Sequence, residues 1–335
     1  MTPSPLTQLK SRLRRRHLDA ILISQPHNRR FLSGFSALDH GIEESAGLLL
    51  IPRKGHPLLL TDSRFELVAG QDAPDFEVVV YRHGVVDLLK KLFSRLQIQR
   101  CAFESHYTLH STAQKLQEMA RAQGVALVPV TDLVEKMRLC KSRQELEKIS
   151  QAVLLNEEIF QETYRRLRPG MTEIEVALQI ENRMRRQGAD RPSFETIVAA
   201  GPNGARPHAV PTSRPLKEGE PVVIDMGLIL DGYCSDMTRT VVLGTLDPQT
   251  KEIIRLVRRA QLAGMAALQA GVTGRQVDRA ARAIIREGGY GDKFGHGLGH
   301  GVGLAVHEAP GLSPRATKKL QAGMVVTVEP GIYIE

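Results

Sequence analysis

The chain of 335 residues has no tryptophan and only three cysteines, Cys101, Cys140 and Cys234. The cysteines are widely spaced, odd in number and form no CxxC pair, which argues against a disulfide framework and for a reducing compartment. Long apolar runs are also missing. Near the N-terminus, basic residues are followed only by the short run at 20–23, too short for a signal-peptide core and far too short to span a bilayer. Nor is there a basic tail with interleaved aromatics. The excess of 45 Lys+Arg over 37 Asp+Glu, a formal charge of +8, lies in short runs such as Arg14-Arg15-Arg16 and Arg29-Arg30 within periodic sequence. Such runs read as solvated surface rather than a nucleic-acid site. The expectation is a cytoplasmic protein with no nucleic-acid and no membrane partner.

The length suffices for two domains, each with its own core, and 42% hydrophobic with 24% charged residues is ordinary globular composition. In the first half, apolar runs at 19–24, 46–51, 57–61, 76–81, 100–103 and 126–130 read as strands. Helical spacing appears at 6–16, 85–93 and 111–122. Pro52-Arg53-Lys54-Gly55 is a hairpin signal, and Asp62 or Ser63 is placed to cap a helix beginning at 65–69. Strands alternating with helices indicate an α/β domain over residues 1–131. His27, His40, His56, His83, His106 and His110 are scattered through it without ligand spacing. Thr131-Asp132 opens a short helix through residue 137. Ser142 with Glu145, and Thr172 with Glu175, are capping-box signatures for two further helices, ended by Arg168-Pro169-Gly170 and by Gly188. The second domain is placed at 138–335.

The acids of that domain sit on apolar runs. Residues 222–227 read as a strand carrying Asp225, and residues 233–243 as a second strand carrying Asp236. Asp231-Gly232 between them is a two-residue hairpin signal. With that turn, residue 236 faces residue 227, and Asp225 and Asp236 become diagonal neighbours on one face. A longer loop or a bulge would break this parity. Converging carboxylates need either a proton or a cation between them, so two readings stay open here: a metal site, or two exposed acids. Farther on, residues 324–329 read as a strand ending in Glu329, after a helix-forming segment at 316–320.

Between these acids lies FGHGLGHGVGLAVHE (294–308), with His296, His300 and His307 and glycines at 295, 297, 299, 301 and 303. Each interior glycine costs a helix about 1 kcal/mol relative to alanine, so the stretch suits a loop or irregular strand whose backbone passes close to something. Asp, Asp, Glu and His together form a mostly hard oxygen donor set with one imidazole, which favours Mn²⁺, Co²⁺, Fe²⁺ or Zn²⁺.

IDMG (224–227), SDMTRT (235–240), GHGLGHGVGLAVHE (295–308), TVEPGIYI (327–334) and the preceding GPNGARPHAVPTSRPL (201–216) resemble the pita-bread metallopeptidases, nearest the prolidase and aminopeptidase P branch. The resemblance implies a creatinase-type N-terminal α/β domain and a C-terminal α+β pita-bread domain. It implies a centre of two divalent metals, Mn²⁺ first among the candidates, held by Asp225, Asp236, His300 and Glu329, with Asp236 bridging. It assigns His208, His296 and His307 to the substrate, and it suggests a homodimer. The family carries a further strand after GIYI, with a GxRxED-type motif whose glutamate is a fifth, bridging ligand. Glu335 matches a variable position instead. The expectation is therefore a catalytic domain truncated at its C-terminus, short of one bridging carboxylate and holding at most one metal, or else a shortened homologue without activity.

The implied reaction is metal-dependent hydrolysis of the bond preceding proline, in Xaa-Pro dipeptides or at peptide N-termini. In it His307 stabilises the oxyanion, Glu329 carries the proton, and His208 and His296 line the leaving-residue side. Two alternatives remain at this stage: a methionine aminopeptidase, which shares the metal set but not the N-terminal domain or the PHxxPT segment, and a non-catalytic peptide- or partner-binding protein. The sequence does not separate a dipeptidase from an aminopeptidase.

Overall fold

The apolar runs of the first half become six strands: β1 (Ala20–Ile23), β2 (Leu48–Pro52), β3 (Leu58–Thr61), β4 (Glu77–Val80), β5 (Arg100–Glu104) and β6 (Ala126–Val130). In the computed structural model, which describes residues 3–334, they form one sheet in the order β4-β3-β2-β1-β5-β6. Strands β1, β2 and β3 pair antiparallel in sequence order, whereas β3–β4, β1–β5 and β5–β6 are parallel. Ile21, Ile23, Leu49, Ile51 and Leu59 enter the core on one face. Ala20, Leu22, Leu50, Leu58, Leu60 and Phe103 enter the core on the other. A sheet covered on both faces has no polar side, which is why these runs are uninterrupted.

Helices α1 (Pro5–Arg15), α2 (Pro26–Ser33), α3 (Glu66–Asp72), α4 (Val85–Arg95), α5 (His110–Ala122) and α6 (Glu135–Arg138) complete this unit, Met1–Arg138. Two local readings need correction. Helix α3 begins after Phe65 with no side-chain cap; Asp62 instead accepts from the Arg64 backbone N–H at 2.9 Å and pairs with its guanidinium. Helix α2 has no counterpart among the helical spacings above; Gln25 caps it, Pro26 opens it and Gly34, at φ 86°, closes it.

The second unit, Leu139–Glu335, opens with α7 (Arg143–Tyr164) and α8 (Glu173–Arg186), each starting in the capping box read from the sequence. Six strands follow: β7 (Arg191–Pro192), β8 (Ile197–Ala200), β9 (Pro221–Met226), β10 (Leu228–Leu230), β11 (Tyr233–Cys234) and β12 (Met237–Val242). They form two small sheets, β12-β9-β8 and β11-β10-β7. At the hairpin turn Asp231 and Gly232 both have positive φ, 49° and 80°. The pairings Leu230↔Tyr233, Ile229↔Cys234, Met226↔Met237 and Thr238↔Asp225 share one register, so Asp236 falls opposite Gly227. Val222, Ile224 and Met226 point into the core with α7 and α8 residues. Asp225, alternating with them, points away from it.

Helices α9 (Pro248–Ala267) and α10 (Gly274–Glu287), in a region to which the sequence analysis assigns nothing, form a second core with Phe294, Leu298, Leu312 and Leu320. Strands β13 (Gly299–Gly301) and β14 (Glu308–Leu312) pair beside it. Residues 316–320 are not helical. Lys319 bridges Thr273, Leu320 N–H donates to Val272, and Gly271 N–H donates to Leu320, so pairing with the segment before α10 takes up this backbone. Residues 324–329 are extended but form no regular strand. Val302 N–H reaches Val325, Thr327 N–H reaches His300 and Glu329 N–H reaches Leu298. This yields a single bridge, Gly301↔Val326, because β13 is short and its own register shifts between Gly299 and Gly301. Among the described residues, no helix is long and apolar enough to cross a membrane.

Candidate metal centre

The glycine-rich stretch is built for close approach. A Cβ on Gly299 would run into the Thr327 carbonyl, and one on Gly301 would stand 2.5 Å from the Ala309 carbonyl. Side chains are excluded there so that β13 can lie between residues 325–329 and β14. This sandwich brings His300 to Glu329. The His300 Nε2 lies 3.1 Å from Glu329 Oε1 and 3.3 Å from Asp236 Oδ2. Donor atoms of Asp236, His300 and Glu329 all fall within 4.8 Å of one another.

Asp225 is outside that tight group but acts on it. Its Oδ1 accepts from Thr238 Oγ1 at 2.9 Å, across the β9–β12 pair. Burial, then the negative charge of Asp236, pushes its pKa up to about 7. Burial works against charge on His300, yet hydrogen bonds to Asp236 and Glu329 overcome it and raise its pKa to about 10. Burial would raise Glu329, but His300 and the Thr327 hydroxyl hold its pKa below the usual carboxylate value.

The residues fit a divalent cation. Three carboxylates face one imidazole, and protons on Asp225 and His300 are retained there far above their ordinary range, the mark of acids that call for positive charge. The His300 Nδ1–H donates to the Gly301 carbonyl at 3.1 Å. This leaves Nε2, the atom facing the carboxylates, as the ring nitrogen that could hold a cation.

The other sequence-derived site residues lie at different depths. His307 meets His300 edge to face, with ring centroids 4.3 Å apart. Burial and the charge of His300 lower its pKa, and the charge of His208 acts in the same sense, so exposed His208 stands within electrostatic reach of it. The next residue, Glu308, is held by Lys141, Nζ to Oε1 2.6 Å, with the lysine side chain 1% exposed. His296 donates from Nδ1 to the Gly297 carbonyl at 2.7 Å and accepts at Nε2 from the Tyr333 hydroxyl at 3.1 Å. Burial, then the charges of Glu329 and Asp225, pushes the Tyr333 phenol up to about 12. Thr238, Thr327 and Tyr333 are the residues that sequence reasoning passed over. They stand inside the quoted motifs SDMTRT and TVEPGIYI, but a hydroxyl's partner is visible only when the strands are paired. Glu335 lies outside the described residues.

Residues 147–335 match the metallopeptidase family M24, and residues 5–140 match the creatinase/prolidase N-terminal domain. The chain belongs to metallopeptidase family M24. It is 37% identical over 317 residues to the uncharacterised peptidase YqhT of Bacillus subtilis, covering 95% of this chain and 87% of that one. The solved structure of an Xaa-Pro dipeptidase from Bacillus anthracis superposes with a TM-score of 0.91 at 38% identity, covering 98% of this chain and 90% of that one. An X-Pro aminopeptidase from Thermotoga maritima superposes with a TM-score of 0.87, also at 38% identity, covering 97% and 91%. The M24 chain is therefore a metal-dependent peptidase of two domains, creatinase-like and pita-bread, and its substrate is a peptide.

Proposed function

We propose that this M24 peptidase cleaves the bond preceding proline, in Xaa-Pro dipeptides or at the N-terminus of longer peptides. The observation that carries the reading is the convergence of Asp236 and Glu329 on His300 Nε2, with Asp225 beside them. The names of the B. anthracis and T. maritima proteins support the proline preference, and the N-terminal match supports it over a methionine aminopeptidase. Asp225, Asp236, His300 and Glu329 would hold a pair of divalent cations, Mn²⁺ first among them. Bound there, the cations supply Lewis acidity, lowering the pKa of water towards about 7 and polarising a carbonyl.

The chain's own groups do the rest. Glu329, ionised at neutral pH, takes the proton of the attacking water and passes it to the proline nitrogen as the C–N bond breaks. His307, its pKa lowered, is a neutral hydrogen-bond donor to the carbonyl oxygen as it gains charge. His208 lines the leaving-residue side. His296, its Nε2 engaged by Tyr333, orients that phenol at the same rim. The free cysteines support a cytoplasmic setting, and the working assembly is a homodimer, to be checked by light scattering.

The test is hydrolysis of Xaa-Pro, Xaa-Pro-Yaa and Xaa-Ala peptides by the chelator-treated protein, with and without Mn²⁺. Metal-dependent cleavage confined to proline peptides is expected. Equal cleavage of Xaa-Ala, or cleavage unaffected by chelation, overturns the reading.

A further inference from the structure

Glu173 is the first residue of α8 and is 0% exposed, yet among the described residues no lysine, arginine or histidine forms an ion pair with it. What surrounds it is a set of donors. Oε1 accepts from the Ala200 N–H at 2.7 Å. Oε2 accepts from Asn203 Nδ2 at 2.9 Å, the Thr212 N–H at 2.9 Å and Thr212 Oγ1 at 2.7 Å. The helix end adds two bonds of its own, Glu173 N–H to the Arg214 carbonyl and Ile174 N–H to the Thr212 carbonyl.

One oxygen, Oε2, thus ties Asn203 to Thr212. These residues are the two feet of the loop that carries His208. Asn203 Nδ2 also reaches the Val210 carbonyl at 3.2 Å, Ala209 is buried, and His208 itself is exposed at the tip. The need for a carboxylate follows from the donor count. An ionised glutamate only accepts, at about four lone-pair sites, and four donors converge on it. An amide would turn N–H against N–H at one of these positions and leave a buried donor unpaired. The α8 N-terminus supplies a favourable field for the negative charge.

We infer that Glu173 is a positioning residue for the substrate side of the site, holding the 204–211 loop closed so that His208 stands at a fixed place. The inference rests on the role proposed for His208. Its loop-closing part is read without any activity.

The test compares Glu173→Gln, Asn203→Ala, His208→Ala and the Glu173→Gln/His208→Ala double variant, all as full-length protein. Hydrogen exchange of the Ala200 and Thr212 amides and of residues 204–211 is expected to speed up by about 10-fold or more in Glu173→Gln, while the 222–242 hairpin keeps its protection. In Xaa-Pro hydrolysis, Glu173→Gln is expected to raise KM about 5-fold or more with kcat changed less than about 2-fold. The double variant is expected to match His208→Ala, because the effect runs through that residue. Unchanged loop exchange in Glu173→Gln overturns the inference, as do effects of Glu173→Gln and His208→Ala that simply multiply. Should Glu173→Gln fail to fold, Asn203→Ala, which removes one foot from the surface side, gives the same readouts. Absence of Xaa-Pro cleavage by the unaltered protein sinks the proposed function instead, and the exchange data still decide the role of Glu173.

Discussion

His300 and Glu329 face each other with Nε2 3.1 Å from Oε1, and their backbones are stitched through Thr327, whose N–H donates to the His300 carbonyl. The Thr327 hydroxyl also accepts from the His300 N–H and donates to the Glu329 carboxylate. One threonine therefore orients both groups.

Removing that orientation is expected to weaken the centre without deleting a donor. Thr327→Val should lower Mn²⁺ affinity by about 10- to 100-fold, the usual effect of losing a group that orients a metal's ligands. His300→Ala should lose still more. Isothermal titration of the metal-free protein with Mn²⁺ measures both. Unaltered affinity in His300→Ala would remove it from the centre.

Metal-free stability should fall as pH rises. The folded-state pKa of Asp225 is raised from 3.8 to about 7, so its contribution is fully present below about pH 4 and is lost as pH rises through about 7. That of His300 is raised from 6.5 to about 10, so its contribution is present below about 6.5 and is lost as pH rises through about 10. Both slopes have the same sign; that of His307, its pKa lowered, is opposite but acts only below about pH 6.5. Thermal melts in chelator should therefore show a lower Tm at pH 9 than at pH 7, and saturating Mn²⁺ should restore more at pH 9, where it displaces fewer protons. A larger metal-induced rise in Tm at pH 7 would contradict this electrostatic account.

His307→Ala should reduce kcat by about 100-fold or more, the scale for loss of an oxyanion donor, with Mn²⁺ content unchanged. Full activity in this variant would assign His307 to packing against His300.

The glycines of the histidine stretch are not equivalent. A Cβ at Gly299 meets the Thr327 carbonyl, whereas one at Gly295 meets nothing within 4 Å. Gly299→Ala is expected to destabilise the protein by more than about 2 kcal/mol, as overpacking does, and Gly295→Ala to be within about 0.5 kcal/mol of the unaltered chain. Urea denaturation separates the two.

Thiol titration should find a single fast-reacting cysteine. Cys140 is exposed, while Cys101 and Cys234 are buried, and burial pushes the Cys101 thiol well up. Two or three fast thiols in native protein would contradict this packing.

Much of the scaffold is local enough to be read along the chain. The Asp231-Gly232 turn sets a two-residue hairpin register, and from it the common face of Asp225 and Asp236 follows by alternation alone. The uninterrupted runs of β1 to β6 announce a sheet buried on both sides, and Ser142 with Glu145 announces the start of α7. The failures are equally instructive. Residues 316–320 have helix-forming composition, but the backbone of 271–273 takes their hydrogen bonds. Residues 324–329 have a strand's pattern, but β13 offers them too irregular an edge.

What the sequence by itself determined is the inventory and its local geometry: the acids on strands, the imidazoles on a glycine-rich loop, the caps and the turn. Which groups touch was decided only by tertiary structure. Thr327 bonded to Glu329 and to the His300 backbone, Tyr333 on His296, and Glu173 closing the His208 loop each join residues whose patterns along the chain say nothing of one another. The physical reason is that a side-chain hydrogen bond requires its two atoms to meet within about 3 Å, and for residues far apart in the chain only the packed fold specifies that distance.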